Sequence, residues 1–154
     1  MTTIPVFIKP QRIIRKIFIH CSASDNPSHD HVDVIKRWHM SPDPKDPSKP
    51  WSDIGYHYYI QKTGDVQLGR PLERIPTGQK GFNAGTIAIC VGGLEKSKFT
   101  QAQFQSLYAM CLQINNALTS VTFHGHCEVS KKACPVFDYK KILGLNNRGE
   151  MGPE

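Results

Sequence analysis

Thr86-Ile87-Ala88-Ile89-Cys90-Val91 is an almost continuous apolar run, and its reading decides the fold. A strand buried on both faces loses the alternation of apolar and polar residues, so this segment is expected at the centre of a sheet. Lys16-Ile17-Phe18-Ile19-His20-Cys21, rich in β-branched and aromatic residues, reads as a second buried strand. Between them, His31 to Met40 sets Val34, Ile35 and Trp38 on one side of a helix. Gly55 to Gln61 and Asp65 to Gly69 read as a β-hairpin joined through Lys62-Thr63-Gly64. Further on, Thr100 is the expected N-cap of a helix over Gln101 to Leu118, with Phe104, Leu107, Tyr108, Cys111, Leu112 and Ile114 turned inward. Val121 to Gly125 is a short strand, and Asp138 opens a last helix through Leu143. Strands separated by helices predict an α/β fold with a central mixed β-sheet flanked by helices. One domain is expected over residues 1–154, with its core from about residue 15 to residue 143.

The remaining stretches are expected to be irregular. Pro5 and Pro10 break residues 1 to 12, and Asn146 to Glu154 reads as a loose tail. Ser41 to Pro50 carries four prolines in ten residues and predicts a surface loop over or beside a site. With 154 residues and 39% apolar content, the chain can bury one core and has no room for two. No apolar run is long enough to span a bilayer. The first residues lack a charged start, an apolar stretch and a small-residue cleavage site, so no secretory signal is expected. The formal charge of +6 favours anionic partners. The basic residues are dispersed, though, and no stacking motif accompanies them, so nucleic acid is not an expected partner.

The segment Gly125-His126-Cys127-Glu128-Val129-Ser130-Lys131-Lys132-Ala133-Cys134-Pro135 carries the chemistry, together with His20 at the end of the first strand. Alone, a histidine ending an apolar strand is often a satisfied core residue. Two imidazoles and one thiolate, however, form a set that suits Zn2+, and three protein ligands leave a fourth position open, the mark of a catalytic site. The five cysteines are odd in number and show no disulfide spacing, which leaves Cys134 free to ligate. Cys90 and Cys111 read as small buried hydrophobes. Strand alternation should turn Cys21 away from His20, and should put His57 on the side opposite Tyr56. His124, two residues before His126, is expected to share its strand face, as a supporting hydrogen-bond partner or as packing. Glu128 is left between orienting its loop and assisting catalysis. A base-deaminase site is excluded, because no Cys-x-x-Cys pair is present.

Phe18-Ile19-His20-Cys21-Ser22-Ala23, Asp53-Ile54-Gly55-Tyr56-His57-Tyr58, Ile87-Ala88-Ile89-Cys90-Val91-Gly92-Gly93, and Gly125 through Pro135 recur in this order in a known family. The chain resembles the zinc-dependent N-acetylmuramoyl-L-alanine amidases, in particular the short endolysins of T-odd coliphages, which share their fold with peptidoglycan recognition proteins. The resemblance covers about Arg15 to Leu143. It implies His20, His126 and Cys134 as ligands of one Zn2+, and Tyr56 and Lys132 as catalytic residues. It implies peptidoglycan as substrate, cut at the amide between N-acetylmuramic acid and L-alanine, by a monomer that waits in the host cytoplasm and reaches the periplasm and cell wall through a separate pore-forming protein. Lys132 would stabilise the developing oxyanion. For Tyr56 the reading leaves open holding the water, deprotonating it, or steadying the oxyanion. Some relatives also bind and inhibit a phage RNA polymerase, which adds a second expected partner. A binding-only recognition role is the rival, and the presence of Cys134 argues against it. Many relatives carry a histidine in the loop before the central strand, where this chain reads Thr77-Gly78-Gln79-Lys80-Gly81-Phe82-Asn83. The substrate contact of that histidine is either lost or replaced here, with Gln79 or Lys80 as the candidates to replace it.

Overall fold

A computed structural model describes residues 2–152. Among them, the two apolar runs form β1 (Lys16–Cys21) and β4 (Thr86–Val91), with α1 (Val32–His39), β2 (Tyr58–Ile60) and β3 (Val66–Leu68) between. After β4 come α2 (Gln101–Ala117), β5 (Thr122–Gly125) and α3 (Tyr139–Leu143). The sheet order is β3-β2-β4-β1-β5. Only the β2–β3 hairpin is antiparallel, and the other three pairings are parallel. The sheet is therefore mixed, as the alternation of strands and helices requires.

Both faces are covered, which is why β4 is apolar throughout. On one face, Ile17, Ile19, Ile87, Ile89 and Val91 pack with Leu107, Met110 and Ile114 of α2 and Leu143 of α3. On the other, Tyr59 and Cys90 pack with Ile35, Ile54, Val32 and Trp38 beneath α1. Thr100 caps α2 through a reciprocal pair of bonds with Gln103, satisfying N–H groups that a helix start leaves unpaired.

Several expectations need correction. The hairpin strands are shorter than their sequence pattern: residues 55–57 lie outside β2, and Tyr56 among them lines a cleft. Tyr108, expected inward, is 39% exposed, while Gln103 and Ser106 are buried. These polar residues face in because they donate to the carbonyls of Ile60, Gly92 and Gly64 at strand ends. The tail from Asn146 is ordered as far as it is described. It doubles back through a Leu145–Met151 bridge, the N–H of Phe123 donates to Gly149 O at 2.7 Å, and Met151 is buried.

Parallel register positions the site. Ile19 pairs with Gly125, and His20 pairs with Cys90. His20 and His126 are thus the next residues along two neighbouring strands, at the C-terminal edge of the sheet, where α/β folds place their crevices.

Candidate active site

His20 and His126 meet with ring centroids 4.6 Å apart, and Cys134 arrives on the loop that follows β5. One ligand atom from each of the three lies within 4.8 Å of the others. The chain turns into a 3-10 segment, His126–Glu128, directly after β5. That turn separates the two histidines expected to share a strand face. His126 enters the cleft, while His124 bonds Thr122 Oγ1 and Glu128 and packs on Phe18. Glu128 accepts from Gly125 N and from the Tyr139 hydroxyl, so its role in this geometry is to orient the loop. Cys21 joins the α2-side core, on the face opposite His20, as alternation required. Its amide nonetheless donates to Cys134 Sγ at 3.0 Å.

The protonation chemistry favours a cation. Burial pushes the His20 pKa down to about 3, and the neighbouring His126 adds to the effect. His126 is lowered by burial and by Lys132. Both imidazoles are therefore neutral near pH 7 and keep a lone pair to give. Hydrogen bonding with Cys21, reinforced by burial, raises the Cys134 thiol above its usual range. A thiolate there needs a compensating positive charge, and a metal ion supplies one. His20 Nδ1 is buried with no hydrogen-bond partner in the protein. A native protein seldom leaves such an atom orphaned without a use for it. The donor set fits Zn2+.

Above the cluster lies a cleft of about 570 Å3 whose walls include Trp38, His39, Trp51, Tyr56 and Lys132. Tyr56 stands 4.9 Å from the His20 ring, and burial raises its phenol well above the ordinary value. It is thus a neutral hydrogen-bond donor in this protein. Its segment is clamped by the buried Arg70, whose guanidinium donates to the carbonyls of Ile54, Asp53 and Ile75. His39 accepts from Gly55 N at 2.8 Å and packs against both Tyr56 and Trp51. The sequence reading assigned His39 nothing. Its only advance signal was its place in the last turn of a helix that ends at the proline-rich loop. His57 faces away from the site, accepting from Ala88 N and donating to Arg74 O.

The loop that lacks a histidine holds another correction. Gln79 does not point at substrate. It is fully buried and bonds His20 Nε2 at 2.8 Å. Lys80 does line the open groove, alongside Asp46, Trp51, His126 and Lys132, so the proline-rich loop borders the site as expected.

Residues 10–137 match the family described as N-acetylmuramoyl-L-alanine amidase. The chain belongs to this family. The chain is 34% identical over 131 residues to the endolysin of Escherichia phage T7, covering 81% of this chain and 82% of the relative. Among solved structures, the amidase is similar to the endolysin LysCS from Clostridium intestinale, at 26% identity and TM-score 0.73, over 86% of this chain and 83% of that one. A peptidoglycan recognition protein, PGRP-SA from Apis mellifera, shares the fold at 20% identity and TM-score 0.70, with 96% and 94% covered. The amidase therefore carries its His20, His126 and Cys134 cluster on an amidase and recognition-protein fold, with Tyr56 and Lys132 at the rim.

Proposed function

We propose that this amidase is a zinc-dependent endolysin, which hydrolyses the bond between N-acetylmuramic acid and L-alanine of peptidoglycan during release from a bacterial host. The observation that carries the zinc reading is the convergence of His20, His126 and Cys134 ligand atoms within 4.8 Å, beneath an open cleft. Bound there, Zn2+ would supply Lewis acidity toward the amide carbonyl and a more acidic water. Lys132, exposed in the lining of the cleft, would offer its cation to the oxygen on which negative charge develops, and such a donor is worth roughly 3–4 kcal/mol. Tyr56, neutral and carried on a backbone segment that Arg70 holds, would offer a donor hydroxyl to the reacting centre from the wall of the cleft.

The family relationship and the endolysin relatives support the lytic role. The test is digestion of purified peptidoglycan, followed by mass spectrometry and elemental analysis of the enzyme. Free stem peptides with N-terminal alanine, intact glycan strands and one zinc per chain are expected. New reducing sugar ends would replace the amidase reading by a glycosidase one, and full turnover after exhaustive chelation would remove the metal.

A further inference from the structure

Gln79 lies 59 residues from His20 in sequence, yet its side chain, itself fully buried, contacts the ring. The far end of the amide contacts Thr86 Oγ1 at 2.7 Å and Phe82 O at 3.5 Å. Thr86 in turn contacts Asn83 O at 2.8 Å. A carbonyl oxygen only accepts, so the single Thr86 hydroxyl proton is committed to Asn83 O. Thr86 Oγ1 must then accept from Gln79, which requires the NH2 end there. Phe82 O, a second pure acceptor at the same end, requires the same orientation. The Gln79 oxygen is left facing His20 Nε2 at 2.8 Å, and it too can only accept. His20 Nε2 must therefore carry the proton. Its other nitrogen, Nδ1, is the buried atom without a hydrogen-bond partner, and with Nε2 protonated it holds the only lone pair the ring can give to the cluster with His126 and Cys134.

We propose that Gln79 is a positioning residue that locks the His20 imidazole in the Nε2-protonated tautomer and thereby presents Nδ1 as its metal-binding atom. The inference rests on the zinc reading of the cluster for its second half only. In solution a neutral imidazole samples both tautomers and rotates freely, so a ligand held in one tautomer and one rotamer binds metal without that ordering cost. The chain Asn83–Thr86–Gln79–His20 runs from the loop into β4 and then to β1, so the ring orientation is tied to the sheet itself. Gln79 N also donates to Asn83 Oδ1 at 3.0 Å, anchoring the turn that carries it.

The experiment uses the intact protein. Imidazole nitrogen shifts are measured on 15N-labelled, metal-free wild type at neutral pH, with the His20 signals assigned by comparison with His20→Gln. Zinc affinity is then measured by chelator competition for wild type, Gln79→Met and Gln79→Glu. His20 is expected as the Nε2–H tautomer, and Gln79→Met should weaken zinc binding roughly 10- to 100-fold, the usual effect of losing such a supporting partner. Gln79→Glu keeps an acceptor oxygen toward Nε2 but sets its second oxygen against Thr86 Oγ1 and Phe82 O, so its affinity should fall between those of wild type and Gln79→Met. A Nδ1–H tautomer or a mixture in the wild type overturns the proposal, whether or not the variants fold. So does unchanged zinc affinity in a folded Gln79→Met. Wild type that binds no zinc defeats the metal reading and the metal half of this inference, while the tautomer measurement still decides the hydrogen-bond chain.

Discussion

Gly78→Ala should slow turnover without removing metal, and the structure sets the size of the effect. A Cβ at position 78 would lie 3.0 Å from Tyr56 Cε1 and 3.1 Å from both Cε1 and Nε2 of His20, where ordinary contact begins at 3.4 Å. The gap must open by a few tenths of an ångström. His20 is fully buried and pinned to Gln79, whereas Tyr56 is half-buried against the cleft. Tyr56 is therefore the side that gives, moving outward. Overpacking of this kind costs about 1 kcal/mol at the low end of its range, or roughly 2–4 °C in Tm for a chain of this size. A 1 Å misplacement of a reacting group can cost about 100-fold, so roughly half that displacement predicts a fall in kcat near 10-fold. Zinc content should stay at the wild-type level. Gly144→Ala is the control. Gly144 caps α3 with φ of 63° and has nothing within 4 Å of an added Cβ. It should lose about 1 kcal/mol through backbone strain with unchanged kcat. Wild-type turnover in Gly78→Ala, or an equal loss in both variants, would refute the claim that Tyr56 must hold this position.

Lys132→Ala should lower kcat by roughly 100- to 1000-fold and Tyr56→Phe should lower it with the fold intact, both keeping zinc by elemental analysis, while Cys134→Ser should lose it. Acid stability should report on Asp25. Burial acts to raise its pKa, but hydrogen bonds from Lys62 and from the N–H groups of Glu95 and Leu94 outweigh that and hold it down at about 2. A folded value below the unfolded one gives stability that is full above about pH 4 and lost as pH falls toward 2. Urea melts of Asp25→Asn should accordingly show a smaller stability loss than wild type between those pH values. Met151→Ala should cost about 2 kcal/mol by denaturant unfolding with unchanged turnover, because Met151 is buried in the core and no described residue of the tail lines the cleft. No loss would return that segment to a loose end.

The sequence by itself determined the layered α/β fold and the three candidate ligands. Apolar runs such as Ile17–Ile19 and Ile87–Val91 can be satisfied only by burial on both faces, and short-range chemistry places Thr100 at a helix start. His20 and His126 were legible because each ends or follows a strand that the pattern already fixed. What only the tertiary structure decided are contacts between residues distant in the chain. Gln79 read as a substrate contact until its amide was found turned inward to His20, and His39 read as an ordinary helix residue until Gly55 was found bonded to its ring. Gln103 and Ser106 displaced Tyr108 from the buried side of α2 because strand-end carbonyls there required donors. The tail from Asn146 became ordered for the same reason, since the N–H of Phe123 needed an acceptor. Periodicity records where a side chain lies on its own element. It does not record which unpaired donor or acceptor another element will bring against it, and in this protein those pairings orient the site.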